Sequence, residues 1–412
     1  MQSCLLPYQA ISPTVKRTIS PMSPKPRLVV VPSDPISAYE KAGYDWLQRY
    51  YNPSGYFGEV IALSPREKKN RQAHGMSIRR VSERYFRSAL REIAPDVVRA
   101  YGGYWPADLV ARNRLPNVPV VVSVHDRLAH RIHRSVTLAD AVLCMSQAVS
   151  QAVRLKGVGP EKAVILPNRV DLNRFQPLRH TPECHRIRKI HPGKLILHVG
   201  RKHEEKNLDT LICSLSHLPK EYRCVFIGNG DVQSYQALAR SEGVADRCYW
   251  LDHIQNRDLP YWYSACDCFC VPSRWEGFGI VFIEAAACGA PIVTSRIPPM
   301  TEYLRHGESA FLVEEYEDPR CLAESIHRTV DDAAFAARIR TGAQAAALPF
   351  ELSEVDAMEV QIYQQVMHRH LGSPPSTWMQ QRWNAEQFAY HAIRSGAKHV
   401  LGLFKSEQKN AA

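Results

Sequence analysis

"KLILHVGRKHEEKNLDTLICSL", residues 194–215, joins a continuous apolar run to a helix-length segment through one glycine, Gly200. A run without polar alternation reads as a parallel strand, because only a sheet covered on both faces hides every side chain. A strand that ends in glycine and feeds a helix is the opening of a βαβ unit. The pattern continues through "YRCVFIG" (222–228), "RCYWL" (247–251), "CDCFCVP" (266–272), "APIVTS" (290–295) and "SAFLV" (309–313). The first half has its own series: "RLVVVP" (27–32), "EVIAL" (59–63), "DVVRAY" (96–101), "VPVVVSV" (118–124), "DAVLCM" (140–145) and "AVILP" (163–167). Two doubly wound α/β domains are expected, with ligands at the carboxyl ends of their strands.

Around these series the chain divides as follows. Residues 1–26, interrupted by prolines, read as a disordered leader and not as a signal peptide. Residues 27–190 form a first Rossmann-like domain, ending in a linker read from the polar, basic, proline-bearing stretch "RHTPECHRIRKIHPGK" (179–194). Residues 191–355 form the second domain, 356–372 a helix and 373–412 a basic amphipathic tail. In the tail, Met379, Trp383, Tyr390, Ile393, Ala397, Leu401 and Phe404 fall near one helical face among Arg382, Arg394, Lys398 and Lys405. That pattern suits an interfacial membrane helix, or equally a helix packed on the protein's own body or on a partner. No run of about 18 apolar residues is present, so no transmembrane helix is expected.

The chain has 11 cysteines, an odd number without framework spacing, which points to a reducing cytoplasm. Cys266, Cys268 and Cys270 alternate, which would set all three on one strand face as small buried hydrophobes rather than metal ligands. The net charge of +11 is unevenly spread. Residues 1–190 hold 30 Lys and Arg against 14 Asp and Glu, and residues 191–412 hold 22 against 27. The basic half is expected to face something anionic. "SIRRVSERYFRSALREIAP" (77–95) reads as a helix with Arg80, Arg84, Arg87 and Arg91 on one face. Such a face is either solvated or a dock for anionic lipid or a phosphate-bearing acceptor. Nucleic acid is not expected, because no aromatic platform interleaves with the charges.

Three stretches carry chemistry. Arg201 and Lys206 flank the turn after Gly200, where backbone N–H groups and two cations would suit a diphosphate. "FIGNGD" (226–231) is a second strand-end turn, with Gly228, Asn229 and Gly230 allowing backbone to approach a base or ribose. In "RWEGFGIVFIEAAACGAP" (274–291), Glu276 and Glu284 lie eight residues apart. On one helix they would point roughly 80° apart and sit about 12 Å apart along the axis. They make more sense if Glu276 stands in a loop and the Gly-Phe-Gly turn opens a helix carrying Glu284.

These motifs, in this order, resemble the donor domain of the GT-B glycosyltransferases of the retaining family 4 type. "ILPNRVDLNRF" (165–175) and "MTEYLRHGESAFLV" (300–313) resemble its flanking segments. The resemblance implies a GT-B architecture, two Rossmann-like domains facing a central cleft. It implies that Arg201 and Lys206 bind the donor diphosphate, with Gly200 and the 228–230 turn beside it. Glu284 would hold the ribose. Glu276, with Gly277, Phe278, Gly279 and Ile280, would hold donor-sugar hydroxyls, and His125 would reach the sugar from the first domain. The co-substrate would be a UDP- or GDP-linked sugar and the acceptor a glycan or lipid-linked saccharide, with no metal and no other cofactor. The expected location is the cytoplasm, with attachment to an anionic inner membrane face as an addition. Two departures stand out: Arg169 replaces the glycine usual in the 165–175 segment, and "PSDPISAYEKAG" (32–43) replaces a Gly-Gly loop, leaving Gly43 as the nearest substitute. The rival readings are a glycosidase, which also uses paired carboxylates, a GT-B phosphorylase or nucleotide-sugar epimerase, and a non-catalytic nucleotide-sugar-binding protein at a membrane.

Overall fold

The computed structural model describes residues 25–44 and 46–368. The leader and the 373–412 tail read from the sequence lie outside them, apart from the first strand's immediate approach.

The first sheet has eight strands: β1 (Arg27–Val31), β2 (Glu59–Ser64), β3 (Arg71–Ala73), β4 (Met76–Arg80), β5 (Val97–Tyr101), β6 (Val120–Val124), β7 (Ala141–Cys144) and β8 (Ala163–Ile165), in the order β3-β4-β2-β1-β5-β6-β7-β8. All neighbours are parallel except β3 and β4. The second sheet is wholly parallel: β9 (Lys194–Val199), β10 (Tyr222–Ile227), β11 (Cys248–Leu251), β12 (Cys268–Val271), β13 (Ile292–Ser295) and β14 (Phe311–Val313), in the order β11-β10-β9-β12-β13-β14. In each sheet the winding reverses once, between β1 and β5 and between β9 and β12. Apolar clusters cover both faces of both sheets, which is why the strands read as unbroken apolar runs.

Four readings are corrected by the structure. Residues 77–95 are not one helix: β4 takes Met76–Arg80, a 3-10 turn follows at Glu83–Tyr85, and the helix is only Phe86–Ile93. Arg80 therefore leaves the proposed arginine face. The cause is the hairpin turn at His74 and Gly75, whose positive φ values of 52° and 66° fit a two-residue turn between paired Ala73 and Met76. Residues 179–194 are not a bare linker. Thr181 caps a helix, Pro182–Ile190, whose Cys184 and Ile187 are buried in the second domain's core. Pro182 is a helix-starting proline there, not a breaker. The three alternating cysteines do not share a face: Cys266 precedes β12 and packs with Phe269 and Val271, whereas Cys268 and Cys270 face the opposite cluster. Finally, the last helix among the described residues begins at Leu352 and runs to His368, and it returns to the first domain. Its Val355, Ile362, Tyr363 and Val366 complete the core of Leu28, Tyr51 and Phe57, each wholly buried apolar side chain stabilising by ~1.5–3 kcal/mol.

The chain thus crosses between domains at 166–175 and again at 348–352. The two crossings touch: Val170 N donates to Phe350 O (2.8 Å) and Leu352 N to Val170 O (2.9 Å). Beside them lies a buried ion network. Arg169 pairs with Asp356 and Glu359, and Arg99 pairs with Glu359 and donates to Tyr363 Oη at 2.7 Å. Arg169, the departure from the family's glycine, therefore ties the first crossing to helix Leu352–His368.

Candidate functional site

Strand-end loops of the two sheets meet, and several bonds cross between them. Gly277 lies so close to the first domain that a Cβ there would stand 1.9 Å from His125 O. Ser146, the cap of the Gln147–Leu155 helix, donates from Oγ to Gly277 O at 2.7 Å. Glu302 of the second domain accepts hydrogen bonds from Gln147 N (2.8 Å) and Ala148 N (3.0 Å), the first turn of that same first-domain helix. A carboxylate there meets unpaired N–H groups and the positive end of the helix dipole. The Gly277–Ile280 loop is therefore pinned against the first domain, next to His125.

On the second-domain side, β9 ends at Val199, and Gly200 begins the turn. The chain does not pass directly into a helix. A 3-10 turn, Glu204–Lys206, capped by His203, comes first, and the helix starts at Leu208. That turn carries Lys206 inward. Its Nζ lies 2.5 Å from Glu276 Oε1 and 3.8 Å from Glu205 Oε1. Glu276 also accepts from Ser273 Oγ at 2.9 Å. Arg201, in contrast, is exposed and held by Glu205 Oε1 at 2.5 Å.

Gly228 follows β10 with φ +134°, and a Cβ there would stand 2.1 Å from Gly200 O, so only glycine lets the two strand-end turns meet. Lys202, not singled out from the sequence, is buried and donates to Gly228 O and to Leu251 O (2.9 Å). It also donates its own N–H to Asn229 O at 2.7 Å, fixing the 228–230 turn. Its only sequence signal was its place beside Arg201.

Glu276 stands in the loop after β12, and Gly279, with φ +78°, caps the Ile280–Ala287 helix that carries Glu284. Phe278 stacks on Tyr303, 5.3 Å between ring centres, and Tyr303 Oη donates to Phe278 O at 2.8 Å. Ile280 is exposed at the loop's end. Glu284 is buried and accepts from Tyr263 Oη (3.0 Å) and Asn256 Nδ2 (3.4 Å). Burial pushes its pKa up to about 7, against the pull of Tyr263, Asn256 and the Arg174 charge. Tyr44, just past the short Ile36–Lys41 helix, feels the Glu284 charge, and Gly43 beside it lies 3.7 Å from His253 Nε2 as measured from a Cβ position.

His125 follows β6 and is accessible from the cleft. The protein walls around it, and then the Arg99 charge, lower its pKa, so the ring is neutral near pH 7. Among the described residues, no group of three or more His, Cys, Asp or Glu could hold a metal ion, and no helix is long and apolar enough to cross a membrane.

The architecture is shared with solved structures. Anabaena Alr3699/HepE in complex with UDP-glucose matches 82% of this chain and 100% of its own with a TM-score of 0.70 at 19% identity. Sucrose-phosphate synthase from Thermosynechococcus elongatus matches 82% and 99% with a TM-score of 0.70 at 17% identity. At these identities the likeness is one of fold. Among curated relatives, a D-inositol 3-phosphate glycosyltransferase of Xylanimonas cellulosilytica is 31% identical over 57% of this chain and 59% of its own length. A D-inositol 3-phosphate glycosyltransferase 1 of Catenulispora acidiphila is 29% identical over 68% and 74%, and the Mycobacterium tuberculosis glycogen synthase is 26% identical over 66% and 69%. The chain thus spans about three-fifths of the first relative's length. Two family patterns divide the sequence between them: Glycosyltransferase Family 4 covers residues 28–174 and Glycosyl transferases group 1 covers residues 183–346. With both patterns in order on two facing doubly wound sheets, the chain belongs to the group 1, family 4 type of glycosyltransferases and has the GT-B architecture.

Proposed function

We propose that this protein is a retaining, metal-independent glycosyltransferase that moves a hexose from a nucleoside diphosphate to a hydroxyl of a glycan or lipid-linked acceptor. The observation that carries the reading is the Lys206–Glu276 pair at the second sheet's winding reversal, with the next residue, Gly277, against the His125 backbone across the seam. A buried cation between two carboxylates, Glu276 close and Glu205 farther, at the strand ends where ligands bind, is a place for the donor's diphosphate. Glu276 pairs with Lys206 and neutralises it. On donor binding the diphosphate takes over Lys206, with Arg201 swinging from Glu205 to add a second charge, and Glu276 turns to the sugar hydroxyls. Glu284, beside Tyr263 and Asn256, accepts from the ribose hydroxyls. The Gly228–Gly230 turn offers backbone to the nucleotide.

The chemistry follows from that placement. The bond from the anomeric carbon to the diphosphate oxygen breaks, and the bond to the acceptor oxygen forms on the same face. The departing phosphate oxygen takes the acceptor's proton, while Lys206 and Arg201 stabilise the charge left on the diphosphate. His125, neutral and against Gly277, orients the sugar through a hydrogen bond. UDP is the favoured donor nucleotide because Anabaena Alr3699/HepE, of the same fold, is described with UDP-glucose. The relatives carry names as different as D-inositol 3-phosphate glycosyltransferase and glycogen synthase, so similarity leaves the acceptor open. A cytoplasmic enzyme, docked at the inner membrane face through its basic half, fits the charge distribution. A glycosidase is disfavoured, because Glu276 and Glu284 have separate partners and Glu276 is tied to a lysine.

Thermal shifts with UDP, GDP and ADP in EDTA test the donor site, since a ligand at a hundred times its Kd adds about 2.7 kcal/mol. The reading requires one nucleotide to stabilise the protein, and Lys206→Ala to remove that effect. Turnover of the matching nucleotide sugar only in the presence of an acceptor then separates a transferase from an epimerase. Stabilisation with no turnover under any acceptor would replace the enzyme by a nucleotide-sugar-binding protein.

A further inference from the structure

The first sheet has a winding reversal of its own, between β1 and β5, and none of the residues assigned so far occupies it. Ser33 follows β1 there, and Gly102 follows β5, with a Cβ at Gly102 only 3.7 Å from Ser33 Cβ. Two side chains converge on the Ser33 carbonyl: Trp105 Nε1 donates at 3.0 Å, and Arg66 Nη1, from the loop after β2, donates at 3.1 Å. The Arg66 guanidinium lies 4.1 Å from the centre of the Trp105 ring. Arg66 makes no ion pair among the described residues, and its neighbour Glu67 is buried and turned to Ile36 N at 2.6 Å. Lys68 and Lys69, on the same loop, are exposed and also make no ion pair among the described residues.

An exposed arginine with a carboxylate in reach forms an ion pair, and an arginine without one wanders. Arg66 does neither. An aromatic ring and one carbonyl fix its plane, and most of its five N–H donors remain unused. A guanidinium held flat in a ligand crevice, its charge uncompensated, is preorganised for a two-pronged contact with an anionic oxygen pair. Its position selects which ligand carries that anion. β2 lies three strands from β6, about 14 Å at the usual strand spacing. Arg66 is therefore too far from His125 to serve the donor sugar, but its side chain points back toward the reversal. Tyr104, 46% exposed and one residue before Trp105, adds an aromatic surface of the kind on which a sugar ring stacks.

We infer that Arg66, fixed on Trp105 and Ser33 at the first sheet's winding reversal, binds a phosphate carried by the acceptor. The proposal rests on the transferase reading for the word "acceptor". The anion site itself rests on the Arg66 geometry alone. The reacting hydroxyl lies toward the donor sugar and the phosphate lies toward Arg66. Lys68 and Lys69 add attraction without geometric choice, so their removal weakens binding evenly and mainly at low salt.

The test uses the full chain saturated with UDP, so that inorganic phosphate cannot enter the diphosphate site. Binding is measured for inorganic phosphate, glucose 6-phosphate against glucose, and vesicles containing phosphatidic acid against neutral vesicles. Arg66→Ala and Arg66→Gln are compared with the wild type, Gln keeping an N–H for the Ser33 carbonyl while removing the charge. The wild type should bind at least one phosphate probe about tenfold or more tighter than its neutral counterpart, and both variants should lose that preference with their UDP thermal shift intact. A response to glucose 6-phosphate assigns a soluble phosphosugar class, and a response to phosphatidic acid alone assigns a lipid phosphate. No preference in the wild type, or a preference that survives Arg66→Gln, overturns the inference. Absence of a shift with UDP, GDP and ADP alike overturns the donor reading instead, so the two failures are distinct.

Discussion

Lys206 and Glu276, seventy residues apart, meet at 2.5 Å in the loop ends of neighbouring strands β9 and β12, with both side chains buried. Removing one partner of such a pair leaves a buried charge alone, which typically costs ~3–5 kcal/mol. Lys206→Ala is expected to lose the nucleotide-dependent thermal shift and also to lower the stability of the empty protein. Lys206→Ala combined with Glu276→Gln should regain most of that stability without regaining nucleotide binding. Denaturant unfolding of the three proteins, with and without UDP, checks the separation.

Glu284 gives a pH signature. Its pKa is about 7 in the fold against 4.5 for an ordinary glutamate, so the folded state holds the extra proton in between. Stability from this group is full below the unfolded value and is lost as pH rises through about 7. Glu284→Gln should flatten that decline. Nucleotide binding has the opposite slope, because ribose hydroxyls need a carboxylate to accept from them. The wild-type nucleotide shift should therefore grow between about pH 6 and pH 8.

Gly277→Ala tests the seam. The added methyl would meet His125 O at 1.9 Å, which backbone cannot yield without parting the domains. Transfer should fall by about tenfold or more, equivalent to ~1.4 kcal/mol in the barrier. The UDP thermal shift should be kept, since Lys206 and Glu284 lie elsewhere on the donor. Steady-state kinetics beside the shift assay reads both.

Glu302→Gln should loosen the closed arrangement. It weakens an N-terminal cap worth ~0.5–2 kcal/mol, and that cap is the only one supplied to the Gln147–Leu155 helix from the other domain among the described residues. Small-angle scattering should show a larger radius of gyration for the empty variant than for the empty wild type, with the difference shrinking when donor nucleotide is bound.

Much of this was legible from residue order. Apart from β3 and β4, which no quoted run covers, the strands of both sheets fall on the quoted apolar runs, because parallel strands covered on both faces must be apolar throughout. The loop-then-helix placement of Glu276 and Glu284 followed from the Gly-Phe-Gly turn. What misled was context. Arg80 has the spacing of a helical arginine face, and only the His74–Gly75 turn betrays a strand. Pro182 looks like a breaker unless Thr181 is read as the cap before it. The Lys206–Glu276 and Arg169–Glu359 pairs could not be read at all, because each joins residues far apart in sequence whose approach depends on sheet order. Arg66 escaped notice for the same reason, its partners Ser33 and Trp105 lying on two other strands' loops.

Helix Leu352–His368 has one more consequence, for the order in which the molecule is made. The first sheet is complete by residue 165, but the side chains that close its core, Val355 to Val366, and the carboxylates that pair Arg99 and Arg169, are translated nearly two hundred residues later. At ~5–20 residues per second, roughly 10–40 s pass in which the nascent first domain exposes an apolar groove and two charges without counterions. The second domain, whose sheet and helices are contiguous in sequence, has no such wait. The domain synthesised second can therefore settle first, and helix Leu352–His368, emerging after it, locks the first domain.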